Sequence, residues 1–505
     1  MPNSKGEETG SSEQHDASAE KQSKPSLNKK ELWDITFLVL AFSCVVATLT
    51  LIVGSGAMAI LSVGGSQTVA PFSVAVVFIG MSFISLTATH WIFERWGRKI
   101  GFWVGCVLGL IGVLVGCWGL LKSSAAIVLV AQTIMGSGLG IGMYLRFSSV
   151  EVVRAEFSSR AVAWVLGGGC LAAFIGPETS QAAIGVFGDG NLTYLGPFVV
   201  AGGFMILQAA CVGAVGFPSR MKETRASTTE IDDAAEKQGN ERSIEVASKT
   251  GVWSIVRRPD FLYPLGISIL SWIIMAMPMS IFRLTMGEFG FTGRQSLTVI
   301  EFHFLSMYSP GFWSGAFIKK YGFVRACQVG ALLFTVALAI DLSTPANSKT
   351  TAPWFLGLIL IGIGWNFGFS SATVWSTQAY QHALHLKSKI QAANDFAMFL
   401  ISGAAIFSSG YFYHDAGGGG ISGWRLLNGV LYSCVILYVI LVYLAGRSLQ
   451  RDQTGGTNRK IDESEDPTIV DVSSKLELTV STEARPSGQD SKDSPVVLTS
   501  IDEVA

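Results

Sequence analysis

The side chains able to do chemistry in this 505-residue sequence are the few polar ones set inside long apolar stretches. Glu178 ends the segment Phe174, Ile175, Gly176, Pro177, Glu178 well inside one of them. An ionisable group in lipid is costly and is a functional candidate by default. Glu178 is therefore a candidate proton carrier, with a carboxylate reaching surface water as the equal alternative. His303 is a second candidate, because imidazole titrates near neutral pH; packing is its alternative. Glu301 is a third, nearer the surface. Two residues apart on a helix, Glu301 and His303 point in different directions, so they are not a joint ligand pair. Arg146 could hold an anion or a carboxylate in a cavity, or snorkel to headgroups within an ion network with Glu151, Arg154 and Glu156. Trp365 offers a flat stacking surface and Asn366 a neutral amide, with helix packing as the alternative. Asp395, next to Asn394, could pair with a basic side chain as an inner gate or make a superficial ion pair. No metal-ligand spacing, paired nucleophile and base, or phosphate-binding loop is visible. The sequence thus predicts no enzyme, no metal and no cofactor.

The elements that must position these residues are membrane helices. The chain is 49% hydrophobic and only 14% charged, against roughly 25% charged in soluble domains. A net charge of −1 gives no electrostatic case for nucleic acid. All seven cysteines sit in apolar runs, which reads as small core residues and not as a disulfide framework. The first 31 residues are polar, and no cleavable signal peptide is visible. Twelve apolar runs lie near 33–53, 69–92, 101–121, 125–147, 161–184, 195–217, 261–283, 297–317, 326–342, 354–376, 390–412 and 425–446. Each is about the 20 residues that a span requires, and backbone in lipid must pair internally, so each is predicted to be helical. The expected divisions are a disordered tail at 1–31, a six-helix half at 32–218, a charged connector at 219–256, a second half at 257–447 and an acidic disordered tail at 448–505. Lys and Arg cluster in one set of short loops, which predicts both termini and the connector on the cytoplasmic side. Asn191, followed by Leu192 and Thr193, is then a glycosylation candidate on the outer side.

The sequence also repeats itself. Gly140, Gly142, Phe147, Ser148 and Ser149 recur 222 residues later as Gly362, Gly364, Phe369, Ser370 and Ser371. The stretch from His90 to Lys99 is echoed from Gly315 to Gly322 at an offset of 225. Two echoes at nearly one offset indicate a duplicated membrane half. Parallel repeats place a solute site near the midplane, at their interface. The alignment pairs Asn366 with Tyr144 and Gly368 with Arg146, which makes Tyr144 and Arg146 cavity candidates beside Trp365 and Asn366.

This six-plus-six plan resembles the major facilitator superfamily over about residues 33–446. The loop between runs two and three carries the resemblance best, with Glu94, Arg95, Gly97, Arg98 and Lys99 in the spacing of the superfamily signature. The resemblance implies that this loop is a charge clasp biasing the two halves between states; plain anchoring by positive charge is the alternative. It also implies that runs 1, 4, 7 and 10 line the cavity. Run five, with Gly167, Gly168, Gly169, Gly176 and Pro177, partly resembles the antiporter motif. Gln132 stands where many members carry an arginine, so coupling through that arginine is not expected. Trp365 and Asn366, Asn394 to Phe396, and Phe174 to Glu178 resemble a bacterial-type branch that includes riboflavin transporters.

The resulting expectation is an all-α integral membrane protein of twelve helices in two pseudo-symmetric halves. It would act as a monomer in the lipid bilayer, moving a small organic solute by alternating access, with or without proton coupling. Few fixed charges in the runs point to a neutral or amphipathic solute. A passive uniporter, and a nutrient receptor signalling through the acidic tail, are the alternatives. The plasma membrane and an internal membrane remain equal.

Overall fold

The computed structural model describes residues 27–86, 90–154, 157–217, 251–345, 350–380 and 386–464. The expectations for the first 26 residues, for the connector from 218 to 250 and for the tail beyond Ser464 fall outside them. Twelve helices carry the fold. The first half comprises α1 (Lys29–Ser62), α2 (Phe72–Ile84), α3 (His90–Leu121), α4 (Ala125–Gly142), α5 (Ser158–Ala183) and α6 (Leu195–Ala214). The second comprises α7 (Pro259–Glu288), α8 (Gly293–Tyr308), α9 (Phe323–Ser343), α10 (Ala352–Gln378), α11 (Lys387–Gly410) and α12 (Gly420–Ser464). Among the described residues ten helices are long and apolar enough to cross a membrane; α2 and α8 complete the twelve as the shorter second helix of each half. The end of the bundle where α1 begins is called the terminal face below.

Local chemistry sets the helix boundaries. Asn28 caps α1 and Thr292 caps α8, each through a reciprocal capping box, with Glu31 and Gln295 respectively. These boxes satisfy amide groups that a helix start leaves without partners. The sequence duplication reappears as duplicated backbone. Gly97 breaks α3 at φ 78°, ψ 171°, and Gly322, its repeat mate, separates a short helix (Gly311–Tyr321) from α9 at φ 82°, ψ 160°. Only glycine adopts this conformation without steric cost. The second helix of the second half is interrupted: α8 ends at Tyr308, where Ser309 and Pro310 follow. Run eight is therefore two helical pieces and not one. The last helix continues past its apolar run as far as Ser464.

Close approach between helices depends on small residues. A Cβ on Gly136 of α4 would stand 2.3 Å from the Val77 carbonyl oxygen of α2, so only glycine allows these backbones to touch. The halves meet along two helix pairs, α2 with α11 and α5 with α8, with α1 against α7 between them.

Candidate functional site

An aromatic cluster fills the centre of that interface. Trp272 of α7 and Trp365 of α10 are both nearly inaccessible. Their ring centroids lie 5.0 Å apart at 79°. Phe369, one turn beyond Trp365, stacks on it at 5.0 Å and 16°. Phe399 of α11 and Phe78 of α2 close on Trp272 at 5.7 and 5.3 Å. Tyr308 of α8 stands 6.2 Å from Trp365. Such tilted and offset pairs are the geometry that the ring quadrupoles favour. Phe78 belongs to the first half and the other rings to the second.

Several polar atoms around this cluster are buried without a partner: Trp272 Nε1, Trp365 Nε1, Asn366 Oδ1 and Arg146 Nε. Buried polar groups normally find a partner. Two indole donors without one, in an aromatic cluster between two halves, are suited to a flat solute bearing acceptor atoms.

Asn366 has a second task. Its Nδ2 donates to the Met307 carbonyl at 2.7 Å. α8 stops just after Met307, and its last carbonyls have no amide of their own helix to accept from. Asn366 therefore caps the break in α8, and its Oδ1 and second N–H remain for a solute.

The structure brings Tyr144, Arg146 and Asp395 together. Arg146 lies near the Phe147 and Phe369 rings, 4.6 and 5.9 Å from their centroids. The second contact crosses to the other half. Asp395 is buried on α11, accepts from Asn394 Nδ2 at 3.3 Å, and lies within electrostatic reach of Tyr144 and Arg146. Cavity and gate candidates from the sequence thus form one cross-half group, on the terminal-face side of the aromatic cluster.

The loop signature places its charges differently. Arg98 holds Glu151 in a bidentate pair, with Nη2 to Oε1 at 2.6 Å and Nε to Oε2 at 3.2 Å. Lys99 Nζ donates to the Gly213 carbonyl at 2.9 Å. Arg95 lies 5.7 Å from the Trp91 ring centroid, and Glu94 sits one residue before it. Nearby, Arg154 Nε donates to Glu31 Oε1 at 3.0 Å. Arg98, Lys99 and Arg154 thus tie parts of the first half to one another. The contacts of Gly97 are open space; its backbone conformation is what makes it necessary.

At the opposite face the charges cross between halves. Glu178 Oε2 accepts from Arg294 Nη1 at 2.5 Å, joining α5 to α8, and both side chains are partly exposed. Glu301 is buried, with one carboxyl oxygen lacking a partner, and lies within reach of both Glu178 and Arg294. Arg294 and Glu301 are seven residues apart and so share a helix face. His303 points the other way, as its spacing from Glu301 requires. Its Nδ1 donates to the Leu358 carbonyl of α10 at 2.7 Å, and its Nε2 has no partner. Arg283 of α7 donates to the Gly54 carbonyl of α1, which is a cross-half tie and not the lipid anchor its position suggests. Asn191 Nδ2 donates to Leu120 O and Ser123 Oγ, both at 3.0 Å. The nitrogen to which a glycan would attach is thus already engaged in the fold.

Trp272, Arg294 and Arg283 are the site residues that sequence reasoning missed. Trp272 carries no charge and matches no repeat mate of chemical interest. Its signal was only its place on run seven, one of the runs expected to line the cavity. Gln132 is fully buried with both amide atoms unpartnered, beside a cavity of about 10 Å³ lined by Ser55, Gly56 and Tyr194.

Residues 35–408 match the family model of the Major Facilitator Superfamily. The chain belongs to that superfamily. It is 23% identical over 415 residues to the riboflavin transporter RfnT of Brucella anthropi, covering 81% of this chain and 95% of that protein. It is 25% identical over 429 residues to YddS, an uncharacterized MFS-type transporter of Bacillus subtilis, covering 82% and 92%. Among solved structures it is similar to the xylose transporter XylE from E. coli in a partially occluded inward-open conformation, with a TM-score of 0.59 at 12% identity, covering 81% and 98%. The chain is thus a multi-pass membrane transporter and not an enzyme, and its substrate class is a small molecule.

Proposed function

We propose that this transporter moves a small, uncharged, ring-bearing organic solute by alternating access, with the terminal face cytoplasmic. The observation that carries this reading is the aromatic cluster shared by the two halves, with the partnerless indole donors of Trp272 and Trp365 at its centre. Stacking is sequence-blind toward the ring, and the indole N–H groups select a ring with acceptor atoms. The similarity to a riboflavin transporter makes riboflavin the first solute to test. Tyr144, Arg146 and Asp395 form the cytoplasmic gate in this reading, and Arg98 with Glu151 keeps the first half rigid as it rocks. Glu178, Arg294 and Glu301 form the outer gate. Two carboxyl groups around one guanidinium also give the carrier a place to exchange a proton, so that a proton gradient can drive uptake.

The test is uptake and efflux in vesicles holding the purified chain, first with riboflavin and then with a metabolite panel, with and without an imposed proton gradient. Trp365→Ala is expected to raise the apparent KM about tenfold, because stacking on one aromatic side chain is worth about 1–3 kcal/mol. An unaltered KM would leave Trp365 a packing residue. Glu178→Gln combined with Glu301→Gln is expected to remove the pH dependence of flux; an unchanged pH profile in that double variant would take the outer carboxylates out of coupling.

A further inference from the structure

Asp341 takes no part in the aromatic cluster or in either proposed gate. It lies near the end of α9, fully buried, and neither carboxyl oxygen has a hydrogen-bond partner. α10 presses against it: a Cβ on Gly357 would stand 2.2 Å from Asp341 Oδ1. One turn from Gly357 is Trp354, whose ring centroid lies 5.1 Å from that of Trp424 on α12. Asn428 follows one turn along α12, with its Nδ2 donating to the Trp424 carbonyl at 2.8 Å. α9 and α12 are tied at two levels, by Arg425 Nη2 to the Thr344 carbonyl at 3.2 Å and by Tyr438 OH to the Cys327 carbonyl at 3.3 Å. Asp341 precedes Thr344 by one turn and Asn428 follows Arg425 by one turn, so the two side chains belong to the same level of the bundle.

Both Asp341 oxygens, Asn428 Oδ1, Trp354 Nε1 and Trp424 Nε1 are buried without partners. The two indole nitrogens can only donate; the three oxygens can only accept while the carboxyl is ionised. Asn428 Nδ2 bonds one carbonyl and keeps a second N–H, so donors and acceptors are equal in number, but with the carboxyl ionised a full negative charge stays buried with no cation bonded to it. One added proton removes that charge and makes the carboxyl a donor as well.

The charged groups on the surrounding helices are bonded elsewhere and leave Asp341 without a cation. α10 carries no charged residue. On α12, Arg425 is spent on the Thr344 carbonyl. On α7, Arg283 is spent on the Gly54 carbonyl, and Glu288 accepts from Tyr413 OH and the Gly420 amide beside His414. His303 of α8 bonds Leu358 on α10. Arg325 lies at the start of α9, some four turns away. Among the described residues no group of His, Cys, Asp and Glu could hold a metal ion.

We propose that Asp341, Asn428, Trp354 and Trp424 form a buried proton-binding site in the second half, in which the neutral Asp341 carboxyl donates to Asn428 Oδ1 and accepts from the indole N–H groups. The proton is taken from water and no other bond changes. A buried ionised carboxylate without a cation is among the costliest groups a protein can hold. The neutral acid in a closed hydrogen-bond set instead ties three helices of the second half together. The inference goes beyond the transport reading and does not depend on any solute.

Infrared difference spectroscopy of the purified full chain in vesicles, titrated from acid to alkaline pH in sodium-free and sodium-containing buffer, tests it. A carboxylic-acid carbonyl band, sensitive to deuterium, is expected at neutral pH in the difference between wild type and Asp341→Asn, which leaves Glu301 and Asp395 unchanged, and Trp354→Phe or Trp424→Phe should move that band to higher frequency as an accepted hydrogen bond is lost. Absence of the band from that difference, or its loss on adding sodium, would overturn the proposal, the latter by making the site one for a cation. Should Asp341→Asn not fold, an unmoved band in both tryptophan variants would overturn it as well.

Discussion

The ion pairs at the terminal face and those at the opposite face join different things. Near the terminal face, Arg98 with Glu151 and Arg154 with Glu31 stay inside the first half. At the opposite face, Glu178 with Arg294 spans the two halves, and Arg283 reaches from α7 to the α1 backbone. In the proposed alternating-access motion, a pair within one half is kept and contributes to stability, whereas a pair between the halves breaks when its face opens and so contributes to the balance between states. The cross-half group of Tyr144, Arg146 and Asp395 is its counterpart on the terminal-face side of the aromatic cluster. Ties between the halves therefore lie on both sides of that cluster.

Substitutions can break this contrast, and the largest effect is expected within a half. Gly136→Val forces a side chain against the Val77 carbonyl, where backbone leaves no room to yield. Overpacking typically costs about 1–3 kcal/mol and occasionally more, so loss of monodisperse protein in detergent is the expected outcome; normal yield and melting would mean that α2 and α4 can part freely. Next comes Arg98→Ala. It leaves the half-buried Glu151 without its bidentate partner, and hydrogen bonds to charged groups contribute about 1.5–3 kcal/mol. A lower Tm is expected, with Arg98→Ala and Glu151→Ala together costing less than the sum of the two alone. Strict additivity in that cycle would dissolve the pair. The smallest stability effect belongs to Arg294→Ala, because exposed pairs are worth about 0–1 kcal/mol. Its expected signature is instead a faster thiol labelling of a cysteine placed at the opposite face, reversed by the exchanged pair Glu178→Arg with Arg294→Glu. Unchanged labelling would make Arg294 a bystander.

Much of this was legible in the residues. The duplicated glycines predicted two equivalent loops, and Gly97 and Gly322 carry nearly the same backbone angles. The spacing of Glu301 and His303 required them to diverge, and they do. Asn366 is different. Its type announced an amide in need of partners, but that the partner is a carbonyl freed by the break before Pro310 depends on which helix lies opposite. Asp341 sat in plain view at the end of the ninth run, where sequence cannot distinguish a carboxylate at the water interface from one sealed against a glycine. Trp272 was one aromatic residue among many until its neighbours were known.

The sequence by itself determined the twelve apolar runs, their pairing into two halves and the turns at Gly97 and Gly322, but not the break in run eight. Those properties depend on run length, on period and on residues such as glycine and proline whose constraints are local. Which polar atoms end without a partner, which charges stay within a half and which cross between halves were decided by tertiary structure alone. The reason is physical: in a membrane bundle each helix is apolar on nearly every side, so its sequence does not say which face meets protein and which meets lipid.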